Sequence, residues 1–453
     1  MHRSTALDLA ADDPLLARQS RRESSARSYP RRLPVALVAG RGSTVVDTTG
    51  RTYIDCLAGA GALALGHHHP VVTEALQAAL QAEVPLTTLD LTTPVKDAFV
   101  EELFSVLPPS LADGRIQFCS PTGADAVEAA LKLTRTATGR LPVLAFGGGY
   151  HGMTQGALAL TGARGPKEPL PAPGGAVQHL PFPAAYRCPF GVGGESSATL
   201  AAAVLRWTLT DDHSGTTTPA AVVIEPVQGE GGVNPVPPAF GAAVRSLTSQ
   251  AGVPLVVDEV QTGLGRTGDL WGSTAVGLDP DVLVLSKAIG GGLPLAVIVY
   301  RAELDTWAPG AHAGTFRGNQ LAMAAGTATI REVVRAGLAE RAGTLGAHLR
   351  ARLDHELGPL DVVAEVRGRG LMIGIEVVDP TAPGPDGLPV PDGALARRVQ
   401  HAALERGLIV EIGGRGDAVV RLLPPLVLTD EEAEQVVDVL VASFAAVSAG
   451  AAR

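Results

Sequence analysis

The sequence predicts an α/β protein in which a mainly parallel sheet is covered by helices on both faces and a smaller α/β unit is attached. Three observations predict it. From about residue 95 to 330, short runs that are apolar throughout (141–146, 220–224, 255–257 and 296–299) recur between segments of helical spacing, as strands buried on both faces do. After about 335 the pattern changes to helices near 345–350, 394–406 and 430–446 around a strand-like stretch at 362–378. A composition of 46% hydrophobic and 18% charged residues over 453 positions supplies interior enough for a large domain and a satellite.

The elements follow in order. Residues 1–32 are charged and rich in Ser and Arg, and they end at Tyr29-Pro30, which predicts a mobile or loosely attached arm. Ser43-Thr44-Val45-Val46-Asp47 and Thr52-Tyr53-Ile54-Asp55 flank a turn containing Gly50 and read as a hairpin. Val71, Val72, Ala75, Leu76, Ala79 and Leu80 fall on one face of a helix over 70–82. The Pro/Gly-rich stretch 162–194 interrupts the sheet pattern and is expected to be a surface excursion near the site. Thr429, followed by Asp430, Glu431 and Glu432, gives the last helix an N-cap and an acidic first turn. These boundaries divide the chain into the arm (1–32), the N-terminal part of a small domain (33–75), a large domain (76–335) and the C-terminal part of the small domain (336–453).

Composition also excludes. A formal charge of −10 disfavours binding to nucleic acid or to an anionic membrane surface, and no apolar run is long enough to span a bilayer. Cys56, Cys119 and Cys188 are few, odd in number and widely spaced, so neither a disulfide framework nor a zinc site is expected. The first thirty residues lack the apolar core of a signal peptide, and a cytoplasmic location is expected. His67-His68-His69 is no metal site either, because sequence neighbours diverge in direction and Pro70 begins a turn.

The chemistry gathers at strand ends. Lys287 follows the apolar run 282–285 and precedes Gly290-Gly291-Gly292, where a lysine amine can form an imine with an aldehyde cofactor and the glycines leave room. One strand earlier, Asp258 ends Leu255-Val256-Val257-Asp258. A buried carboxylate there keeps the ring nitrogen of a pyridine-type cofactor protonated, so that the ring can accept electrons. Strand alternation turns Glu259 to the other side, where it supports backbone, and Gln261 can donate to a ring oxygen. Thr122 caps a helix that opens with Gly123 and Ala124, small residues whose amides suit a phosphate; taken alone, this is an ordinary capped helix. Tyr150, after Gly147-Gly148-Gly149, offers a ring to stack on a planar group, or else is a packed tyrosine in a glycine-rich turn.

Together these residues resemble the class III (ω-type) aminotransferases, which use pyridoxal 5'-phosphate. The resemblance runs through Leu65-Gly66-His67-His68-His69-Pro70, Tyr150-His151-Gly152, Glu225-Pro226-Val227-Gln228-Gly229-Glu230-Gly231, Asp258-Glu259-Val260-Gln261, Ser286-Lys287, Gly314-Thr315-Phe316-Arg317-Gly318-Asn319 and Arg367-Gly368-Arg369-Gly370-Leu371. It implies the fold type I architecture: a large cofactor-binding domain with a mainly parallel seven-stranded sheet, and a small domain drawn from both chain ends. It further implies that Lys287 carries the cofactor and then moves the substrate proton. Asp258 pairs with the pyridinium, Tyr150 stacks on the ring, Gln261 meets the phenolic oxygen, and His151 belongs to the same cofactor set. The amides of Gly123 and Ala124 hold the phosphate with Thr315 from a second subunit. The implied assembly is a homodimer with shared sites, or a higher oligomer built from it.

For the substrate, the resemblance assigns Arg421 to an α-carboxylate and Glu230 to the role of its partner when no carboxylate is present. Ornithine- and 4-aminobutyrate-type members carry arginine where this chain has Met153. Arg27-Ser28-Tyr29-Pro30-Arg31, Leu57-Ala58-Gly59-Ala60-Gly61, the 121–128 loop and Thr315-Phe316-Arg317-Gly318-Asn319-Gln320 look like the diaminobutyrate–2-oxoglutarate branch. The implied reaction passes the amino group of L-glutamate to L-aspartate 4-semialdehyde, giving L-2,4-diaminobutyrate and 2-oxoglutarate. Other ω-aminotransferases, a semialdehyde aminomutase and a cofactor-binding protein without turnover are the alternatives.

Overall fold

A computed structural model describes residues 13–170 and 176–451. Its centre is a seven-stranded sheet in the order Arg115–Phe118, Val297–Tyr300, Val282–Leu285, Leu255–Asp258, Ala221–Ile224, Val143–Phe146, Val177–Leu180. Val297–Tyr300 runs antiparallel to both neighbours, and all other pairings with assigned direction are parallel. The mainly parallel sheet expected from the apolar runs is therefore present.

The two faces are separated by strand alternation. Ala221, Val223, Val256, Val282, Val284 and Ile298 pack with Val127, Ala130 and Leu133 of helix Gly123–Thr138. Val222, Ile224, Leu255, Val257, Leu283 and Leu285 share the opposite core with Phe240 and Val244 of helix Pro238–Gln250 and Leu205 of helix Gly194–Thr210. Each strand is thus apolar on both sides and reads as a continuous hydrophobic run.

The stretch 162–194 differs in part from expectation. It lies at the surface and borders the site, but Val177–Leu180 inside it forms the edge strand next to Val143–Phe146. Gln178 and His179 are exposed at this edge, His179 Nε2 lying 3.0 Å from Leu160 O, which removed the apolar signature by which the inner strands were recognised.

The predicted hairpin forms from Thr44–Asp47 and Thr52–Asp55, and Leu37–Arg41 adds on the outside. Leu408–Ile409 joins Thr52–Asp55 in parallel, so the start and the end of the chain share one sheet. A second sheet of the C-terminal part orders Val363–Arg369, Met372–Pro383, Val419–Leu422 and Glu411–Gly413, with Pro389–Pro391 paired to the long strand. The last helix, Asp430–Ala451, starts with a reciprocal cap: Glu432 N donates to Thr429 Oγ1 at 3.1 Å and Thr429 N to Glu432 Oε2 at 2.9 Å. Helix Pro70–Gln81 lies where its spacing predicted.

The arm is more structured than its composition suggested. Asp13 caps helix Pro14–Arg22, and a single turn, Tyr29–Arg32, ties down its far end. Tyr29 donates to Glu411 and Arg32 to Asp417, both in the C-terminal part; residues 1–12 lie outside the described residues.

Candidate active site

Five strands of the central sheet deliver their C-terminal ends to one place, the edge at which parallel α/β sheets hold ligands. Phe118 leads to the 120–123 loop, Phe146 to Tyr150, Ile224 to Glu225, Asp258 ends its own strand, and Leu285 leads to Lys287. Between them is a cavity of about 470 Å³ whose wall includes Gly123, Ala124, Tyr150, Asp258, Gln261 and Lys287. His151, Glu230 and Met153 border it as well. A second cavity of about 490 Å³ shares Tyr150 and Glu230 and opens under the 162–194 stretch.

Strand alternation sets the two adjacent acids to different work, as expected. Asp258 continues the Val256 face. Its Oδ1 accepts from Val260 N at 3.0 Å, and its Oδ2 contacts His151 Nδ1 at 2.8 Å, with both side chains almost fully buried. Glu259 faces the other core, where Oε1 accepts from Ser273 N at 2.6 Å and Oε2 from Gly272 N at 3.1 Å. Burial disfavours a charged His151, but the hydrogen bond and charge of Asp258 outweigh it and raise the imidazole above its usual range. The His151 contact and the Val260 amide together fix the Asp258 carboxylate in one orientation.

Lys287 begins a short 3-10 turn with φ of 51°, a left-handed conformation that costs a side-chain-bearing residue about 1–2 kcal/mol. Such strain at a cavity lysine marks a position over-determined by its surroundings. Burial lowers the pKa of the amine; the charges of Glu230 and Asp258 oppose this and do not cancel it.

The 120–123 loop is built as predicted. Thr122 Oγ1 accepts from Asp125 N at 3.2 Å, and the amides of Gly123 and Ala124, first in the helix, have no intrahelical acceptor. Gly152 lies against this loop with φ of 128°; a Cβ there would stand 2.6 Å from that of Ala124. Only glycine lets the Tyr150-His151 turn approach so closely. Gln261 Nε2 donates to Ala60 O at 3.3 Å, while Oε1 is buried with no partner. Since the two ends of an amide exchange by rotation, this side chain has one unfilled polar end at the cavity.

Free amides at a helix start that suit a phosphate, an acid for a protonated ring nitrogen, a ring for stacking, an unfilled amide and a buried amine form the set of groups that pyridoxal phosphate requires. Thr315 is not part of this wall. It is exposed, next to Phe316 and across the Thr87–Asn319 bridge from Leu86 and Leu89. His312 Nε2, 3.0 Å from Asp125 Oδ2, anchors its loop to the phosphate-loop helix of the same chain.

Arg421 and Glu230 meet at 2.8 Å (Nη2 to Oε1), as the resemblance implied. The sequence reading missed what surrounds them. Glu411 Oε2 lies 2.8 Å from the same nitrogen, and Glu411 Oε1 accepts from Tyr29 Oη at 2.8 Å. Burial raises Glu230, but the Arg421 guanidinium outweighs it and the net effect is a lowering. For Glu411 burial prevails over Arg421, and the carboxyl is raised. Glu225, named in the motif but given no role, is buried and pushed up to about 7 by desolvation; its Oε2 accepts from Tyr150 N at 2.9 Å. No spacing rule would have found Glu411, 382 residues from Tyr29.

The histidine triplet diverges: His67 contacts Asp55 at 2.9 Å, His68 has φ of 49°, and His69 precedes helix Pro70–Gln81. Cys56, Cys119 and Cys188 are free thiols, and among the described residues no helix is long and apolar enough to cross a membrane.

Comparison with known proteins agrees with this geometry. The family profile described as "Aminotransferase class-III" matches residues 25–444. A diaminobutyrate–2-oxoglutarate aminotransferase of Rhizobium meliloti (strain 1021) is 56% identical over 95% of this chain and 92% of its own. A protein of the same name from Haemophilus influenzae is 46% identical over 94% of each. Among solved structures, an ornithine aminotransferase from Toxoplasma gondii ME49 superposes with a TM-score of 0.81 at 29% identity, covering 96% of this chain and 95% of that one. An amine transaminase from an uncultivated Pseudomonas species, in its PLP-bound form, gives 0.83 at 28% identity, covering 94% and 98%. The arrangement of the site, the family match over most of the chain and these relatives lead to one conclusion: this chain belongs to the class III aminotransferases.

Proposed function

We propose that the protein is a pyridoxal-phosphate enzyme that transfers the amino group of L-glutamate to L-aspartate 4-semialdehyde, reversibly, giving L-2,4-diaminobutyrate and 2-oxoglutarate. The observation that carries this reading is the ion pair of the buried Arg421 with the partly exposed Glu230 beside Lys287, in a chain 56% and 46% identical to two proteins named for that reaction.

When bound, pyridoxal phosphate supplies an aldehyde carbon to carry the amino group and a ring that accepts the electron pair released at the substrate carbon. The chain's residues do the rest. Asp258, held by His151, would keep a proton on the ring nitrogen, and the amides of Gly123 and Ala124 would receive the phosphate. Tyr150 would pack against the ring and Gln261 would meet its oxygen. Lys287, its amine pKa lowered by burial, would take the proton from the amino-bearing carbon of the substrate and deliver it to the cofactor's aldehyde-derived carbon, across the shared nitrogen. Arg421 accepts the α-carboxylate of glutamate once Glu230 moves aside, and re-pairs with Glu230 when the substrate puts no carboxylate there. Met153 offers only a thioether at the cavity wall, so the glutamate side chain is not clamped at that position.

The working unit is a homodimer. Supporting this are the exposed apolar residues Leu86, Leu89, Leu91 and Phe316 around Thr315, which a partner subunit would cover while receiving Thr315 at its own phosphate. The same reading keeps the division into arm, large domain and two-part small domain, and a cytoplasmic location.

The test is a panel of amino donors (diaminobutyrate, ornithine, 4-aminobutyrate and β-alanine) assayed with 2-oxoglutarate. Diaminobutyrate gives the highest kcat/KM. Preference for ornithine refutes the substrate assignment, and product formation without any keto acid favours an aminomutase.

A further inference from the structure

The loop that carries Thr315 rests on the phosphate loop of its own chain. Asp125 Oδ2 accepts from Ser120 N at 2.7 Å and lies 3.0 Å from His312 Nε2, so one carboxylate oxygen holds both segments. The backbone of His312 is fixed as well: its carbonyl accepts from Gln117 Nε2 at 3.2 Å and from Arg317 Nη1 at 3.0 Å. Lys132 Nζ, on the helix that opens with Gly123 and Ala124, donates to Ala311 O at 3.0 Å. Gly314 packs directly on Ser120, where any Cβ would collide with Oγ.

The two segments serve different places. Gly123 and Ala124 line this chain's own cavity, whereas Thr315, three residues after His312, is exposed and outside it. The link between them is strong. Burial raises the Asp125 carboxyl, but the hydrogen bonds from His312 and the Ser120 amide outweigh it and lower it, and the His312 side chain is almost fully buried. Hydrogen bonds to an ionised carboxylate are about twice as strong as neutral ones. A phosphate received at Gly123 and Ala124 orders the 120–124 loop, and through the shared oxygen it also orders the 312–315 loop. Ordering that accompanies the first binding event is not repeated at the second, which is the condition for positive coupling.

We propose that His312 is a positioning residue for the cofactor in both subunits: through Asp125 it holds the phosphate loop of its own site, and through its backbone it sets Thr315 for the phosphate of the partner's site. Cofactor at one site therefore strengthens binding at the other. The inference rests on the homodimer proposed above, with Thr315 given across it. Its consequence is that dimers fill in pairs, and half-loaded dimers are scarcer than independent sites would give.

The full chain, freed of cofactor, is titrated with pyridoxal 5'-phosphate; bound cofactor is read from its absorbance, and the assembly is weighed by light scattering. In the parent dimer the second equivalent binds with an intrinsic affinity at least about fivefold above the first, the lower end of ordinary coupling between sites. In His312→Met, which keeps bulk and removes the donor, the two affinities agree within about twofold. His312→Gln, whose amide nitrogen can reach Asp125, restores the difference. Thr315→Val, at an exposed position, also brings the two affinities together and carries the test if the methionine variant does not fold. Weaker binding of both equivalents in His312→Met with their ratio preserved would make His312 a support of its own loop alone and overturn the proposal. A parent that is dimeric with independent sites overturns this inference and leaves the homodimer standing. A monomeric parent, or Thr315→Val binding cofactor as the parent does, sinks the shared-site homodimer first and this inference with it.

Discussion

Replacing Arg421 by methionine isolates the electrostatics of the site from its chemistry. The substitution keeps an unbranched apolar stem, two atoms shorter than arginine, and removes the guanidinium that lies 2.8 Å from both Glu230 and Glu411. Removing one partner of a buried ion pair costs about 3–5 kcal/mol, because the remaining charge is left without compensation. Glu230 retains 35% side-chain exposure and can rehydrate, whereas Glu411 retains 4%, so Glu411 bears most of the penalty. Unfolding entropy of about 2.1 cal/mol/K per residue, over 453 residues, is about 1 kcal/mol/K, which converts the penalty to a fall of about 3–5 °C in Tm. The sign with pH follows from burial. Glu411 is already raised in the parent, and without Arg421 it is raised further above its unfolded value. A carboxyl raised in the folded state adds stability that is present at low pH and lost as pH rises through its folded pKa. The deficit is therefore largest near pH 8 and shrinks toward pH 5.5. The assay is thermal melting of both cofactor-saturated proteins at the two pH values, with Arg421→Met/Glu411→Gln as the third sample, which recovers most of the loss. A deficit equal at both pH values, or undiminished in the double variant, refutes the reasoning.

Two further outcomes follow from the geometry. Lys287→Ala slows transamination by at least about 10³-fold while still binding cofactor, and borohydride no longer fixes the cofactor to the protein; retained turnover contradicts the role of Lys287. Glu225, pushed up to about 7 from 4.5 by burial, makes the folded state lose about 3 kcal/mol as pH rises from below 5 to above 7. Glu225→Gln flattens that part of the pH–stability curve, and an unchanged slope would assign it to another group.

The sequence was most legible where one strand decides the outcome. Asp258 and Glu259 were separable because alternation alone sends them to opposite cores, and Lys287 because an apolar run ends two residues before it. Resemblance paired Arg421 with Glu230 across 191 residues, a contact no local pattern encodes. What stayed hidden depends on distant segments meeting. Tyr29 and Glu411 are brought together only by docking of the arm, and the edge strand Val177–Leu180 carries polar side chains because water covers it. Thr315 lies outside its own chain's cavity, so the structure of one chain leaves its role as a proposal.

The hydroxyl of Tyr29 has a practical consequence for handling the protein. The first thirty residues look dispensable by composition, and a shortened version beginning at the hairpin would be a natural choice for crystallisation or display. Such trimming would remove the hydroxyl that holds Glu411 Oε1 and so loosen the buried carboxylate beside Arg421. Purification tags and fusion partners are therefore better attached after helix Asp430–Ala451 than ahead of a segment that docks on Glu411 and Asp417.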